Sequence, residues 1–120
     1  MIKRIATVAI YVEDQQAAIR FWTEQVGFEL RRNDPMGPEA FWVEVAPAGA
    51  ETCFVIYPRK MMANWQEQKA AVVFECTDFQ ATYEGMAGRG VNFLEEPQRM
   101  PWGTFVRFRD PDGNEFLLKG

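Results

Sequence analysis

The chain has 120 residues, 48% of them hydrophobic and 14% aromatic, which suits one globular domain with a core of its own and excludes a disordered or fibrous segment. With Lys and Arg numbering 13 against 17 Asp and Glu, the formal net charge is −4, so the broad basic surface that nucleic-acid binding needs is missing. Histidine is absent; without the commonest side-chain ligand of catalytic transition metals, histidine triads and histidine-based metal sites are excluded.

Lys3 and Arg4 precede an apolar run, Ile5-Ala6-Thr7-Val8-Ala9-Ile10-Tyr11-Val12, that ends in Glu13-Asp14. It is far too short to span a bilayer and has no small-residue cleavage site, so it predicts a first strand and neither an export signal nor a membrane anchor. Asp14 can cap a helix whose apolar face is Ala17, Ala18, Phe21 and Trp22, which predicts a helix over 14–24, ended by Gly27. Strands are predicted at 28–32, 41–46 and 52–57, separated by the Pro- and Gly-rich stretches 34–40 and 46–51. Residues 58–69, which hold Met61, Met62 and Trp65, show no strand period and read as a linker.

The pattern then repeats. Val72-Val73-Phe74-Glu75-Cys76 meets Asp78 as Val8 to Val12 meets Asp14, an offset of 78 − 14 = 64 residues, and an internal duplication follows. The second copy predicts a helix over 78–88 and strands at 91–95, 104–109 and 115–118, the last two joined by the turn formers Asp110-Pro111-Asp112-Gly113-Asn114. Cys53 and Cys76 lie in apolar runs with no Cys-x-x-Cys pair, which predicts two reduced thiols in a cytoplasmic protein.

Two βαβββ units in tandem, the Val8-to-Asp14 opening and the Phe108-to-Leu118 ending together resemble the vicinal oxygen chelate superfamily, which includes glyoxalase I, extradiol dioxygenases, fosfomycin-resistance transferases and bleomycin-resistance proteins. The resemblance implies an α+β fold in one domain. Units 1–57 and 70–120, joined by the 58–69 linker, would curl a mixed sheet into a cup with helices outside. In metal-dependent members four side chains on the cup wall bind a divalent ion, and the matching positions here are Thr7, Val55, Ala71 and Leu117. Together they offer one neutral hydroxyl, so no metal and no cofactor are expected at that place. A relocated hard-ion site at Glu75 and Glu115 is weighed against solvated rim charges, the stronger reading. Asp110, Asp112 and Asn114 lack the spacing of a calcium loop and read as a hairpin turn.

Strand alternation from Thr7 and Ala71 places Ala9, Tyr11, Val73 and Glu75 on the cup side, with Cys53, Val55 and Tyr57 from the first unit and Phe105 and Arg107 from the second. Val8, Ile10, Val12, Val72, Phe74, Cys76, Val106 and Phe108 then face the helices. Such a wall suits a small organic molecule. Arg107 either binds an anionic group through its planar fork or pairs with Glu75 or Glu115. Trp42, Trp65 and Trp102, with Met36, Met61, Met62 and Met100, fall in or beside loops and could form a deformable apolar lid, with residues 99–103 as the best lid or rim candidate. The expected ligand-binding set is Thr7, Ala9, Tyr11, Val55, Tyr57, Ala71, Val73, Glu75, Trp102, Phe105, Arg107 and Leu117. The leading expectation is a metal-independent binding protein for an aromatic or anionic organic compound, cytoplasmic, with no nucleic-acid or membrane partner. The resemblance adds a homodimer, because relatives commonly cover their exposed sheet edges with a second chain. The rival expectations are a glyoxalase-like lyase or isomerase, using a relocated metal or Tyr, Glu and Arg acid/base chemistry, and a protein-interaction scaffold.

Overall fold

The structure, a computed structural model, describes residues 1, 4–69 and 71–120. Lys3, in the charged start of the first run, and Ala70, the expected start of the second unit, lie outside the described residues. The chain divides into two compact units, Met1–Ala70 and Ala71–Gly120.

In the first unit, β1 (Thr7–Val12) leads to α1 (Gln15–Arg20), followed by β2 (Glu29–Pro35), β3 (Phe41–Ala46) and β4 (Cys53–Pro58). The sheet order is β1-β4-β3-β2, with β1 and β4 parallel and the other pairs antiparallel. Asp14 caps α1 by accepting from the Gln16 and Ala17 N–H groups at 3.0 and 3.1 Å, satisfying donors that the first turn leaves open. The helix then widens into a π-helix over Phe21–Val26, where the sequence predicts uniform α-helix. The wide turn accompanies burial of two consecutive large rings, Phe21 and Trp22. Trp22 packs at 5.1–5.2 Å from the Phe21, Phe28 and Phe54 rings. Gly27 stops the helix at φ +96°, a left-handed conformation that costs glycine nothing.

Ile10, Val12, Val43, Val45, Phe54 and Ile56 are all buried and occupy matching positions across β1, β4 and β3. Gln15 is buried with them; its Nε2 donates to the Phe41 and Ile56 carbonyls at 2.7 and 2.8 Å, and its Oε1 accepts from the Phe41 N–H at 3.1 Å. The linker holds two 3-10 turns, Arg59–Met61 and Trp65–Glu67. Arg59 ties them down, its guanidinium 4.6 Å from the centre of the Trp65 ring and 3.2 Å from Glu13.

The second unit comprises β5 (Val73–Glu75), α2 (Phe79–Gly88), β6 (Asn92–Phe93), β7 (Gln98–Met100), β8 (Gly103–Arg109) and β9 (Glu115–Lys119). β5 runs parallel to β9, and β8 pairs antiparallel with β9. The strand predicted at 91–95 ends early, at Phe93, and β7, which the sequence reading lacked, resumes pairing on the same strand β8. Pro97 lies in the gap; it has no N–H to give a ladder. The Phe74, Phe93 and Phe116 rings surround Phe108 at 5.5–6.0 Å, and Tyr83 of α2 lies 4.6 Å from Phe93. At the β8–β9 turn the buried Asp110 carboxylate accepts from the Asp112 and Asn114 N–H groups and from Asn114 Nδ2. It is consumed inside a hairpin, as the turn formers predict. No helix among the described residues is long and apolar enough to cross a membrane.

Candidate functional site

The expected binding residues that lie in strands share one face of each sheet, while Ala71 precedes β5 and Trp102 lies in the turn between β7 and β8. In the first unit Thr7 sits beside Cys53, Ala9 beside Val55 and Tyr11 beside Tyr57 in the parallel ladder. Thr7 and Ala9 are exposed, Tyr11 and Tyr57 half-buried, and Val55 and Cys53 buried. Tyr57 packs edge-to-face against Tyr11 at 6.0 Å and against Trp42 at 6.5 Å, so three rings form a row across β1, β4 and β3. Trp42 is therefore a strand residue and not part of a loop lid; the alternation Trp42, Glu44, Ala46 along β3 carries that signal. Its Nε1 donates to Glu44 Oε2 at 2.7 Å, and Arg32 of β2 lies 3.7 Å from the same carboxylate. Burial, and then the Glu44 carboxylate, push the Cys53 thiol above its ordinary pKa, which keeps it protonated and unreactive at neutral pH. Beside Ala9 and Tyr11 a small open concavity of about 230 Å³ is also lined by Glu67, Gln68 and Lys69 of the linker.

The second unit brings four expected residues together. Trp102, Phe105, Arg107 and Leu117 line a concavity of about 290 Å³ with Glu95, Gln98 and Met100. β8 supplies Phe105 and Arg107 on one face while Val106 and Phe108 are buried on the other, and Leu117 stands opposite Arg107 on β9. Residues 99–103 are not a loop: Met100 pairs with Gly103 across a tight turn, and Trp102, 70% exposed, stands at its tip. Gly103 has φ +148°, and a Cβ there would meet the Gly120 carbonyl oxygen at 3.4 Å, which favours glycine at this point. Ala71, Val73 and Glu75 are exposed and do not line the concavity.

Arg107 is held by carboxylates. Its Nε donates to Glu95 Oε1 at 3.1 Å and its Nη1 to Glu115 Oε1 at 3.3 Å, while Arg109 lies 3.4 Å from the other Glu115 oxygen. Of the partners the sequence suggests, Glu115 is used and Glu75 is not; Glu95 was not among them. The Glu95 hydrogen bond and charge, with a smaller push from Glu115, hold the guanidinium above its ordinary pKa. Glu95 reaches Arg107 because the edge strand breaks between β6 and β7, and the Leu94 N–H bonds the Arg107 carbonyl at 3.0 Å. The second Glu95 oxygen is shielded from water and has no hydrogen-bond partner among the described residues.

The four positions that the resemblance matches to metal ligands hold Thr7, Val55, Ala71 and Leu117, side chains that offer one neutral hydroxyl among them and so do not fit a divalent transition metal. Among the described residues no group of three or more Cys, Asp or Glu side chains is placed to hold one. Glu115, the relocated-site candidate, has both oxygens against arginines.

A family model described as the Glyoxalase/Bleomycin resistance protein/Dioxygenase superfamily matches residues 4–118. The chain belongs to this superfamily. The protein YetH of Bacillus subtilis (strain 168) is 62% identical over 119 residues, covering 99% of each chain. Among solved structures, a superfamily member from Sphaerobacter thermophilus DSM 20745 superposes with a TM-score of 0.87 at 29% identity, covering 98% of this chain and 97% of that one. TnmS3, an antibiotic binding protein from Streptomyces sp. CB03234, gives 0.83 at 32% identity, covering 98% and 95%. The α+β fold inferred from the tandem βαβββ pattern is that of the superfamily.

Proposed function

We propose that the protein binds a small organic molecule without a metal, as a cytoplasmic homodimer in which residues 1–120 act as one domain. The observation that carries this reading is the concavity of the second unit, where Met100, Trp102, Phe105 and Leu117 supply apolar surface beside the few polar groups of Glu95, Gln98 and Arg107. Binding sites for small molecules are concave and mostly apolar, with few orienting polar groups. The likeness to TnmS3, whose described role is antibiotic binding, supports the same class. The donor-poor set Thr7, Val55, Ala71 and Leu117 supports a mode of binding that uses no metal.

A thermal-shift screen of antibiotics and planar metabolites, run with chelator and with added divalent metals, tests this. A ligand present at a hundred times its Kd stabilises the native state by about 2.7 kcal/mol. Stabilisation in chelator is the expected result. Stabilisation only with metal, or catalytic turnover of a hit, would favour the lyase or isomerase reading instead.

A further inference from the structure

The Glu95 oxygen without a hydrogen bond says which polar group the ligand carries. A buried ionised acceptor left without a donor is unfavourable, and a partner that supplies one recovers that cost. The concavity has three charged or strongly polar side chains on its wall, and they are unequal. Arg107 already has two of its three nitrogens on carboxylates, Glu95 at 3.1 Å and Glu115 at 3.3 Å. An incoming carboxylate would have to compete with both of those glutamates. Gln98 is neutral. Glu95 lines the concavity, spends one oxygen on Arg107 and keeps the other unpartnered. That oxygen has no surface open to water in the free protein, so a ligand reaches it by turning the carboxylate about its terminal torsion, which is soft in glutamate.

We propose that the ligand of this concavity presents an N–H or O–H donor on a flat apolar body, and that Glu95, not Arg107, is its polar anchor. Met100, Trp102 and Phe105 supply the apolar contact, and Trp102 at the hairpin tip offers a ring face to a planar group. A cationic donor would gain from the Glu95 charge and from the ring quadrupole together. The inference rests on the small-molecule reading above and narrows it from aromatic or anionic compounds to aromatic donors.

The test uses the whole protein and two probes of equal size, 2-naphthylmethylammonium and 2-naphthoate. They are titrated by amide NMR at physiological salt, where long-range effects of net charge are screened. The ammonium should bind about tenfold or more tightly than the carboxylate, with shifts centred on residues 95–107. Glu95→Gln should erase that advantage. Glu96→Gln removes the same charge from an exposed neighbour that does not line the concavity and should preserve it. Naphthoate binding as tightly as the ammonium, or an advantage that survives Glu95→Gln, would overturn the donor assignment while leaving small-molecule binding intact. Equal loss of both probes in Glu95→Gln would also overturn it, reducing Glu95 to part of the wall. If neither probe binds the native protein, the concavity is not an aromatic site, and the donor inference and the reading beneath it fall together.

Discussion

Gln15→Glu is a change of one atom group with a calculable consequence. The native amide is matched to three backbone groups, donating to the Phe41 and Ile56 carbonyls and accepting from the Phe41 N–H. A carboxylate keeps the acceptance but loses both donations, each contributing about 0.5–1.5 kcal/mol. It also turns a negative oxygen toward two carbonyl oxygens in a buried setting. The first turn of α1 offsets about 0.3–1 kcal/mol of this through its dipole. The lost donations less the dipole offset come to about 0–2.7 kcal/mol, and the buried repulsion adds to this, so the net expectation is destabilisation by about 1–3 kcal/mol at pH 7, read as a lower urea midpoint. Protonation restores one donor, so the folded-state pKa of the new carboxyl lies above its unfolded value. The deficit relative to the native protein should therefore be full above the folded pKa and shrink as pH falls through it. A Gln15→Glu variant of native stability at pH 7, or a deficit independent of pH, would refute the hydrogen-bond arithmetic.

Phe108→Ala removes the ring at the centre of the Phe74, Phe93 and Phe116 cluster and should cost about 3–5 kcal/mol in equilibrium unfolding. Burial raises the Asp110 carboxyl above its ordinary value of 3.8 despite the opposing hydrogen bonds from Asn114 and Asp112, so its proton is held more tightly in the folded chain. Its contribution to stability is then full below that ordinary value and declines as pH rises through the raised one. Urea midpoints should accordingly shift in favour of Asp110→Asn, relative to the native protein, as pH rises across that window; a constant difference would count against the assignment. Cys76, half-buried, should react with a disulfide reagent well before Cys53, which is buried and kept protonated beside Glu44; Cys76→Ser should remove the fast phase.

Strand alternation made much of the fold legible. Period-two patterning separates Ile10, Val12, Val106 and Phe108 from Tyr11, Phe105 and Arg107, and the two Asp caps mark both helix starts. The Asp110 turn was legible for the same reason: its residue types answer to local backbone geometry. Glu95 was not, because its role depends on where the edge strand breaks against β8, a tertiary register that Pro97 hints at and does not determine. The Arg107 partners lie 12 and 8 residues away along the chain, and no local pattern chooses among nearby glutamates. Trp42 and Glu44 were readable from β3 alternation but were masked by the adjoining Pro- and Gly-rich stretch. The π turn reflects the packing of Phe21 and Trp22 against side chains distant in sequence, beyond what helix propensity encodes.

Calorimetric titration of a hit from the thermal-shift screen, into protein stripped with chelator and then into protein given equimolar zinc, manganese or magnesium, bears most directly on metal-independent binding. Thr7, Val55, Ala71 and Leu117 offer a metal one neutral hydroxyl and no charged or nitrogen donor, so on the metal-independent reading the affinity should be the same in all four preparations. Binding that appears only after a metal is added, with one ion retained per chain, would contradict it.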